Sequence, residues 1–259
     1  MTGKVHIVGA GPGAADLLTV KAASLLRTAE VVLHDDLVPR EILELIAPSA
    51  EVTNVGKRCG RHSTSQQQIN ALMVECARHY SRIVRLKSGD PAIFGRLGEE
   101  LDALREAGIA FEIVPGITAA MAAAAAASFT LTDRRAASAL IMLTAHNCRG
   151  QSLSRMLLDP EQSTYAIYMP GPDYAATTRE LLRLGLDGST PCALVSNAGR
   201  ERQQVKFLSL HELECGAAIV APAVMIVGKV VQNRNFIESA YFMEEIYESV
   251  RNSVENPAY

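Results

Sequence analysis

Short apolar runs alternate with longer amphipathic stretches along the first half of the chain. Runs of β-branched and aliphatic residues predict buried strands at 4–8, 31–33, 53–55 and 82–86, and the segment FEIVPG at 111–116 is also strand-like. The stretches between them predict helices at 16–27, 65–80 and 98–107. Strands that alternate with helices of this length indicate βαβ units, and therefore a parallel sheet.

The second half repeats the alternation after the segment VPGIT, where Pro and Gly follow a strand. An Ala-rich helix at 119–127 precedes predicted strands at 139–144, 165–168 and 193–196 and helices at 153–158 and 175–184. The apolar run AVMIVGKVV, which ends near 231, predicts one long strand. We therefore expect an α/β protein with an N-terminal α/β domain at 1–114, a C-terminal α/β domain at 115–232 and a polar tail at 233–259.

Composition narrows the class of protein. The 259 residues are 48% hydrophobic and 20% charged, which is typical of a compact globular protein. A formal net charge of −3 argues against nucleic-acid binding, which requires a basic face. No signal peptide is recognisable, and we expect a cytoplasmic protein with no membrane partner. Scattered cysteines and histidines without ligand spacing predict reduced thiols and no metal site.

The segment GAGPGA at 9–14 fits the pattern G-x-G-x-x-G/A between a strand and a helix. Asp35 lies about 20 residues further on, at the end of the next predicted strand, which is also the dinucleotide fingerprint. By itself the motif leaves three alternatives: a nicotinamide or flavin site, a structural turn, and a site for another nucleotide-like ligand.

A second segment, GDPAIFGR at 89–96, follows the strand at 82–86. Ligands of open α/β sheets bind at the carboxyl ends of the strands, so two loops from this edge could face one pocket. A fixed block of this composition is not typical of dinucleotide domains, although SGDP alone is also consistent with a plain β-turn.

Six segments together make the chain resemble the tetrapyrrole methylases over 4–231, and among them most closely the uroporphyrinogen-III C-methyltransferases. These segments are GAGPGAADLLTVKA, LHDDLV, VGKRCG, RLKSGDPAIFGR, VPGIT and LTDRR. The resemblance implies two α/β domains with S-adenosylmethionine (SAM) in the cleft between them, and a homodimer. It also implies a stand-alone enzyme, without the dehydrogenase and ferrochelatase module that fusion members carry.

In this family the glycine-rich loop lies near the active site and binds no pyrophosphate. The implied SAM contacts in this sequence are Pro12, Ser88, Gly89, Asp90, Ile93, Thr118, Ala119, Met169 and Ala198. Asp90 could accept from ribose hydroxyls or offset the sulfonium charge, and Ile93 and Met169 would give the adenine apolar walls. Without the resemblance, a Met at a strand end favours core packing.

The implied reaction is methylation of uroporphyrinogen III at C2 and C7, which gives precorrin-2 by way of precorrin-1 and releases S-adenosylhomocysteine. Family positions for the proton acceptor and donor fall on Asp35 and Lys57, and Arg96 is a third catalytic candidate that we assign mainly to charge stabilisation. The implied substrate contacts are Arg96, Glu99, Arg134 and Met169.

Three positions depart from the family pattern. Ser88 replaces a usual Gly, Ala92 a usual aromatic residue and Asp133 a usual His. Asp133 would place an anion beside the substrate carboxylates and repel them. The departures leave open a methyltransferase of a later precorrin. The glycine loop leaves open a nicotinamide or flavin oxidoreductase, and a non-catalytic homologue that binds a tetrapyrrole or a partner is a further alternative.

Overall fold

The structure, a computed structural model, describes residues 3–56, 64–145, 160–171, 173–216 and 219–234. Contacts divide the chain into two units, the first made of Met1–Ala126 with Ser196–Gln204 and the second of Ala127–Val195 with Val205–Tyr259. The boundary expected at 114 thus precedes the Ala-rich helix, which the structure groups with the first unit. The expected tail lies outside the described residues from 235 onward.

The first unit is a five-stranded sheet with helices. Its strands are β1 (Lys4–Gly9), β2 (Val31–His34), β3 (Glu51–Asn54), β4 (Arg82–Lys87) and β5 (Phe111–Val114), in the order β3-β2-β4-β1-β5. Its helices are α1 (Val20–Thr28), α2 (Arg40–Leu43), α3 (Gln66–His79), α4 (Leu97–Glu106) and α5 (Ala119–Ala126). All four strand pairs are parallel, which confirms the predicted sheet and brings the carboxyl ends of the strands to one edge.

Strand alternation divides the side chains of β4 between two faces of this sheet. Val84 and Leu86 belong to the apolar cluster that contains residues of α1. Ile83 belongs to the other cluster, which contains residues of α3 and α4. Arg85 and Lys87 follow Ile83 at intervals of two, so both side chains lie on the α3–α4 face although both are buried.

The segment after the glycine-rich loop differs from its prediction. The helix expected at 16–27 begins only at Val20, where the Thr19 hydroxyl accepts from Ala22 N at 3.1 Å. Ala15–Leu17 forms a single 3₁₀ turn before it. The loop therefore does not lead directly into a helix N-terminus.

The second unit contains a mixed sheet. Its strands are β6 (Ala139–Thr144), β7 (Ser163–Tyr168), β8 (Pro191–Ser196), β9 (Gln204–Ser209) and β10 (Ala223–Val227), in the order β6-β7-β10-β8-β9. Its helices are α6 (Tyr174–Arg183) and α7 (Leu210–Glu214). β6 pairs with β7 in parallel, whereas β10 runs antiparallel to β7.

The prediction of one long strand that ends near 231 is wrong. β10 stops at Val227 because Gly228 has a φ of 140°, and a 3₁₀ helix at Lys229–Arg234 follows. The helix predicted at 153–158 lies outside the described residues. Within the described part of the chain, no helix is both long and apolar enough to cross a membrane.

Candidate functional site

The glycine-rich loop after β1 and the loop after β4 are joined by backbone hydrogen bonds. Gly11 N donates to Gly89 O at 3.1 Å, and Gly89 N donates to Gly11 O at 2.8 Å. Asp90 connects them to a third loop, because its Oδ2 accepts from Gly116 N at 3.0 Å after β5. The two segments that the sequence analysis singled out are therefore in direct contact at the carboxyl edge of the sheet.

Glycine at the crossing of these loops is required by close backbone packing. A Cβ added at Gly9 would lie 2.6 Å from Gly116 N and 2.7 Å from Gly89 O. A Cβ added at Gly116 would lie 2.9 Å from Gly9 Cα. Cβ atoms do not approach other heavy atoms this closely, so protein backbone occupies the space that these glycines open.

The third glycine of the motif makes room for an arginine. A Cβ added at Gly13 would overlap the Arg200 side chain, whose Nε donates to Pro12 O at 2.8 Å and whose Nη2 donates to Leu37 O at 2.8 Å. Burial lowers the pKa of Arg200. A dinucleotide loop places the pyrophosphate at the N-terminus of the helix that directly follows it, but here α1 begins only at Val20. The geometry does not support the nicotinamide or flavin alternative.

Gly89 differs from those glycines because the space beside it is open. Its φ is 67°, and a Cβ added there would meet no heavy atom of the described residues within 4 Å. The neighbouring Ser88 Oγ is buried and has no hydrogen-bond partner among the described residues. An open backbone position beside an unpartnered hydroxyl is a cradle in which a polar ligand could bind.

Asp35 follows β2 at the same edge, and both of its carboxylate oxygens are held. Oδ1 accepts from Arg85 Nη2 at 2.5 Å, and Oδ2 accepts from Ser88 N at 3.2 Å. The side chain remains 28% exposed. Asp35 is therefore oriented by β4 and its loop while part of it stays accessible.

Arg85 belongs to a buried cluster of charges beneath Asp35. Arg85 Nε donates to Glu100 Oε1 at 3.0 Å, and Lys87 Nζ lies 2.9 Å from Glu100 Oε2. Glu100 is completely buried, and Gln66 Nε2 donates to its Oε1 at 3.4 Å. Burial lowers the pKa of Lys87, and the positive charge of Arg85 lowers it further, whereas Glu100 acts in the opposite direction.

The first unit contains a cavity of about 280 Å³. Residues that contribute to its wall include Asp35, Arg85, Lys87, Ser88, Ile93 and Arg96. Four of them were predicted from the sequence as site residues. Arg85 and Lys87 were missed, although two basic residues two positions apart at the end of a predicted buried strand were a usable signal.

Arg96 and Glu99 form an ion pair at the start of α4. Arg96 is the N-cap residue with a φ of 55°, and its Nε and Nη2 donate to the two oxygens of Glu99 at 2.7 and 2.6 Å. Because the two residues are three positions apart, Glu99 lies within reach of the guanidinium. Both side chains are about half exposed, so a carboxylate ligand could compete with Glu99 for the guanidinium.

Two other predicted contacts lie near the joined loops in sequence, and a third lies in a distant segment that packs against them. Thr118, which is buried, and Ala119 lie where α5 begins, just after Gly116. Ala198 is buried in the segment Ser196–Gln204, which belongs to the first unit. A Cβ added at the adjacent Gly199 would lie 3.3 Å from Pro12 Cγ, so this segment packs against the glycine-rich loop.

The second unit contains Arg134 and Met169. Arg134 is exposed. Met169 follows β7 with a φ of 49° and is 49% exposed, so ordinary core packing does not explain it. Lys57, the predicted proton donor, lies outside the described residues.

Asp133 carries a charge that its own turn already balances. Arg135 donates to it through Nε at 3.0 Å and Nη2 at 2.7 Å, and Arg135 N donates to Oδ1 at 2.9 Å. The hydrogen bonds to Asp133 raise the pKa of Arg135. The expected repulsion of substrate carboxylates is thus reduced by an adjacent guanidinium.

Comparisons with known proteins agree with this geometry. A family model described as Tetrapyrrole (Corrin/Porphyrin) Methylases matches residues 4–214. Siroheme synthase 1 of Pectobacterium atrosepticum is 44% identical over 232 residues, which are 88% of this chain and 48% of that protein. The chain spans about half the length of the curated relatives it matches.

Solved structures show the same fold over nearly the whole chain. The uroporphyrin-III C-methyl transferase from Thermus thermophilus, complexed with S-adenyl homocysteine, is 35% identical with a TM-score of 0.77 and covers 89% of this chain and 99% of its own. A cobalt precorrin-4 methyltransferase is 28% identical with a TM-score of 0.73 over 88% of this chain and 95% of its own. With the family model spanning most of its length, the chain belongs to the tetrapyrrole methylase family.

Proposed function

We propose that this chain is a SAM-dependent C-methyltransferase that methylates uroporphyrinogen III at C2 and C7 to give precorrin-2. The observation that carries the proposal is the pairing of Gly11 with Gly89, because it joins the two family segments around an open cradle. The likeness to the Thermus thermophilus enzyme, 99% of whose chain is covered, supports the same activity.

The residues present fit SAM. The unpartnered Ser88 Oγ and the open space beside Gly89 would receive polar groups of the ligand, and Ile93 in the cavity wall would contact apolar ones. The remaining proposed contacts are Pro12, Asp90, Thr118, Ala119, Met169 and Ala198. When bound, SAM supplies an electrophilic methyl group on a sulfonium, and its product is S-adenosylhomocysteine.

Asp90 has a further role in this proposal. Its Oδ1 accepts from Ala92 N at 2.8 Å while its Oδ2 accepts from Gly116 N. Each carboxylate oxygen can accept a second hydrogen bond, so Asp90 can order the loops and still contact the ligand.

Asp35 acts as the proton acceptor in the proposed reaction. A pyrrole β-carbon is an electron-rich nucleophile, and the ring must lose a proton after it gains a methyl group. Asp35 is accessible, and Arg85 and Ser88 N fix the direction of its lone pairs. Lys57 remains the proposed proton donor on the family position alone.

Substrate recognition would depend on guanidinium groups, since uroporphyrinogen III carries eight carboxylates. Arg96 and Arg134 are exposed and present planar donor forks that match carboxylates. Glu99 would exchange its place on Arg96 with a substrate carboxylate, and Met169 would contact the macrocycle. A homodimer is part of the proposal through the family alone.

The test combines binding with turnover. Titration calorimetry should show that SAM and S-adenosylhomocysteine bind the purified protein while NAD(H) does not. Incubation with enzymatically generated uroporphyrinogen III and methyl-labelled SAM should then yield a doubly methylated product. SAM binding without methylation of this substrate would contradict the substrate assignment. Methylation of a later precorrin instead would favour the second candidate, which the likeness to cobalt precorrin-4 methyltransferase supports.

A further inference from the structure

Four charged side chains form a continuous chain under the cavity of the first unit. Asp35 binds Arg85, Arg85 binds Glu100, and Glu100 binds Lys87. Arg85 and Lys87 have side chains only 3% exposed, and the Glu100 side chain is not exposed at all. The proposed reaction uses Asp35 but assigns nothing to Glu100 or Lys87.

Hydrogen bonds from all three nitrogens of its guanidinium hold Arg85 in place. Nε donates to Glu100, Nη2 donates to Asp35, and Nη1 donates to the carbonyl oxygens of Leu33 at 3.3 Å and Leu86 at 3.2 Å. The two carbonyls belong to β2 and β4, so the plane of the guanidinium is set by the sheet itself. A rigid donor, Arg85, therefore sets the orientation of the Asp35 carboxylate.

Stability alone gives a poor reason for this cluster. Transfer of charges from water into a protein interior is costly, and apolar residues of similar volume often replace buried ion pairs without loss of stability. Ile83, two residues before Arg85, lies on the same face of β4 and packs in the apolar core. The charges begin only where β4 approaches Asp35, which indicates that their role concerns that carboxylate.

We propose that Glu100 is a positioning residue that holds Asp35 in its reactive orientation through Arg85, with Lys87 as the counter-charge that keeps the cluster neutral. The inference rests on the proposed function in that Asp35 is the proton acceptor. It adds two residues, Glu100 and Lys87, that the family positions do not include.

The electrostatic surroundings of Asp35 decide what the test should show. β4 contributes the cations Arg85 and Lys87, α4 contributes the anion Glu100, and α3 contributes the neutral amide of Gln66. Asp36 and Arg96 line the same cavity. His34, the last residue of β2, has its Nδ1 3.0 Å from the backbone oxygen of Asp35.

Substitutions in the cluster change the charge near Asp35 in opposite directions. Glu100→Gln leaves two cations below Asp35, so the acidic limb of the kcat–pH profile should move to lower pH. Lys87→Met removes one cation, so the limb should move to higher pH. The double variant Lys87→Met/Glu100→Gln keeps the net charge of the native cluster, and its limb should stay close to that of the native protein.

Orientation is measured separately from charge. Glu100→Gln and the double variant both leave Arg85 Nε without its carboxylate, so kcat should fall about 10–100-fold in both, as when other supporting hydrogen bonds are removed from a site. The dissociation constant of SAM should not change. Asp102→Asn is the matched control, since Asp102 lies on α4 with its side chain 68% exposed and pairs only with Arg105 among the contacts described.

The double variant keeps the test decisive if Glu100→Gln fails to fold, because it leaves no unbalanced buried charge. A folded double variant with native kcat would overturn the proposal, as would single variants that shift the acidic limb in the same direction. Carbon-13 NMR titration of the Asp35 carboxyl group gives the same comparison without a substrate. If the native protein methylates no tetrapyrrole, the proposed function fails; identical Asp35 titrations in all variants would overturn this inference.

Discussion

Gly11 and Gly89 donate a backbone hydrogen bond to each other, at 3.1 and 2.8 Å, and so join the loops that follow β1 and β4. The two strands are neighbours in register, with Gly9 beside Lys87. Any change that displaces one loop therefore displaces the other. The cradle at Ser88 and Gly89 depends on both.

Gly116→Ala tests the close packing of these loops. The added Cβ would meet backbone atoms of Gly9 and Gly89, which cannot move away as a flexible side chain can. We expect a loss of about 1–3 kcal/mol in the free energy of unfolding, typical of overpacking, together with weaker SAM binding. Denaturant unfolding and calorimetry measure the two effects.

Gly98→Ala is the matched control for that substitution. Gly98 lies in α4, and a Cβ there would meet nothing within 4 Å among the described residues. Alanine in a helix should stabilise the protein by about 0.5–1 kcal/mol. Equal stability of Gly116→Ala and the native protein would show that the loops are not packed as described.

Ser88→Ala tests the hydroxyl that departs from the family pattern. Because Ser88 Oγ has no hydrogen-bond partner among the described residues, its removal should cost the folded protein little. SAM binding should weaken by about 0.5–1.5 kcal/mol, the net value of one hydrogen bond. Thermal unfolding and calorimetry on the same preparation separate the two, and an unchanged SAM affinity would remove Ser88 from the cofactor site.

Asp35→Asn tests the proton acceptor. Asparagine has nearly the same shape but cannot take up the proton, so turnover should fall about 10²–10⁴-fold. Affinity for SAM should stay the same. Asp102→Asn, which removes an exposed carboxylate, should keep native turnover. Near-normal turnover of Asp35→Asn would limit Asp35 to a structural role.

Arg134→Lys tests substrate recognition. Lysine retains the charge but loses the planar fork, so kcat/KM for uroporphyrinogen III should fall. The fall should correspond to a loss of about 1–3 kcal/mol in transition-state stabilisation, while the SAM dissociation constant is unchanged. Arg183→Lys on α6, whose side chain is 70% exposed, should leave kcat/KM as it is. Loss of SAM binding in Arg134→Lys would mean that this loop contacts SAM and not the substrate.

Acid stability provides a prediction that does not depend on function. Lys21 and Lys4 hydrogen-bond the Glu112 carboxylate and lower its pKa from 4.5 to about 2. A lowered pKa in the folded state stabilises the protein above pH 4.5, and this contribution is lost as the pH falls from 4.5 towards 2. Glu112→Gln should therefore flatten the fall of Tm across that range.

Salt provides the control for the acid-stability experiment. The ion pairs of Glu112 lie at the surface, with the Lys4 side chain 47% and the Lys21 side chain 55% exposed. About 1 M salt should screen them and reduce the difference between Glu112→Gln and the native protein. A Tm profile of Glu112→Gln that matches the native one at low salt would contradict the pKa assignment.

Local pattern by itself determined most of the elements. Apolar runs with a period of two and capping residues such as Ser65, which forms a capping box with Gln68, act within a few positions of the chain. For this reason α3, β1 and the parallel sheet agree with their predictions. The two loop segments and the family were also recognised in the sequence, because their residue types stand in a short and fixed order.

Only the tertiary structure decided what the glycines and the buried charges do. Nothing in the sequence around Gly13 shows that the side chain of Arg200, far away in the chain, fills the space beside it. Glu100 resembles a solvated helix residue until β4 brings Arg85 and Lys87 beneath it. Contacts between distant segments set the burial and the charge of these groups, and no pattern of neighbouring residues contains that information.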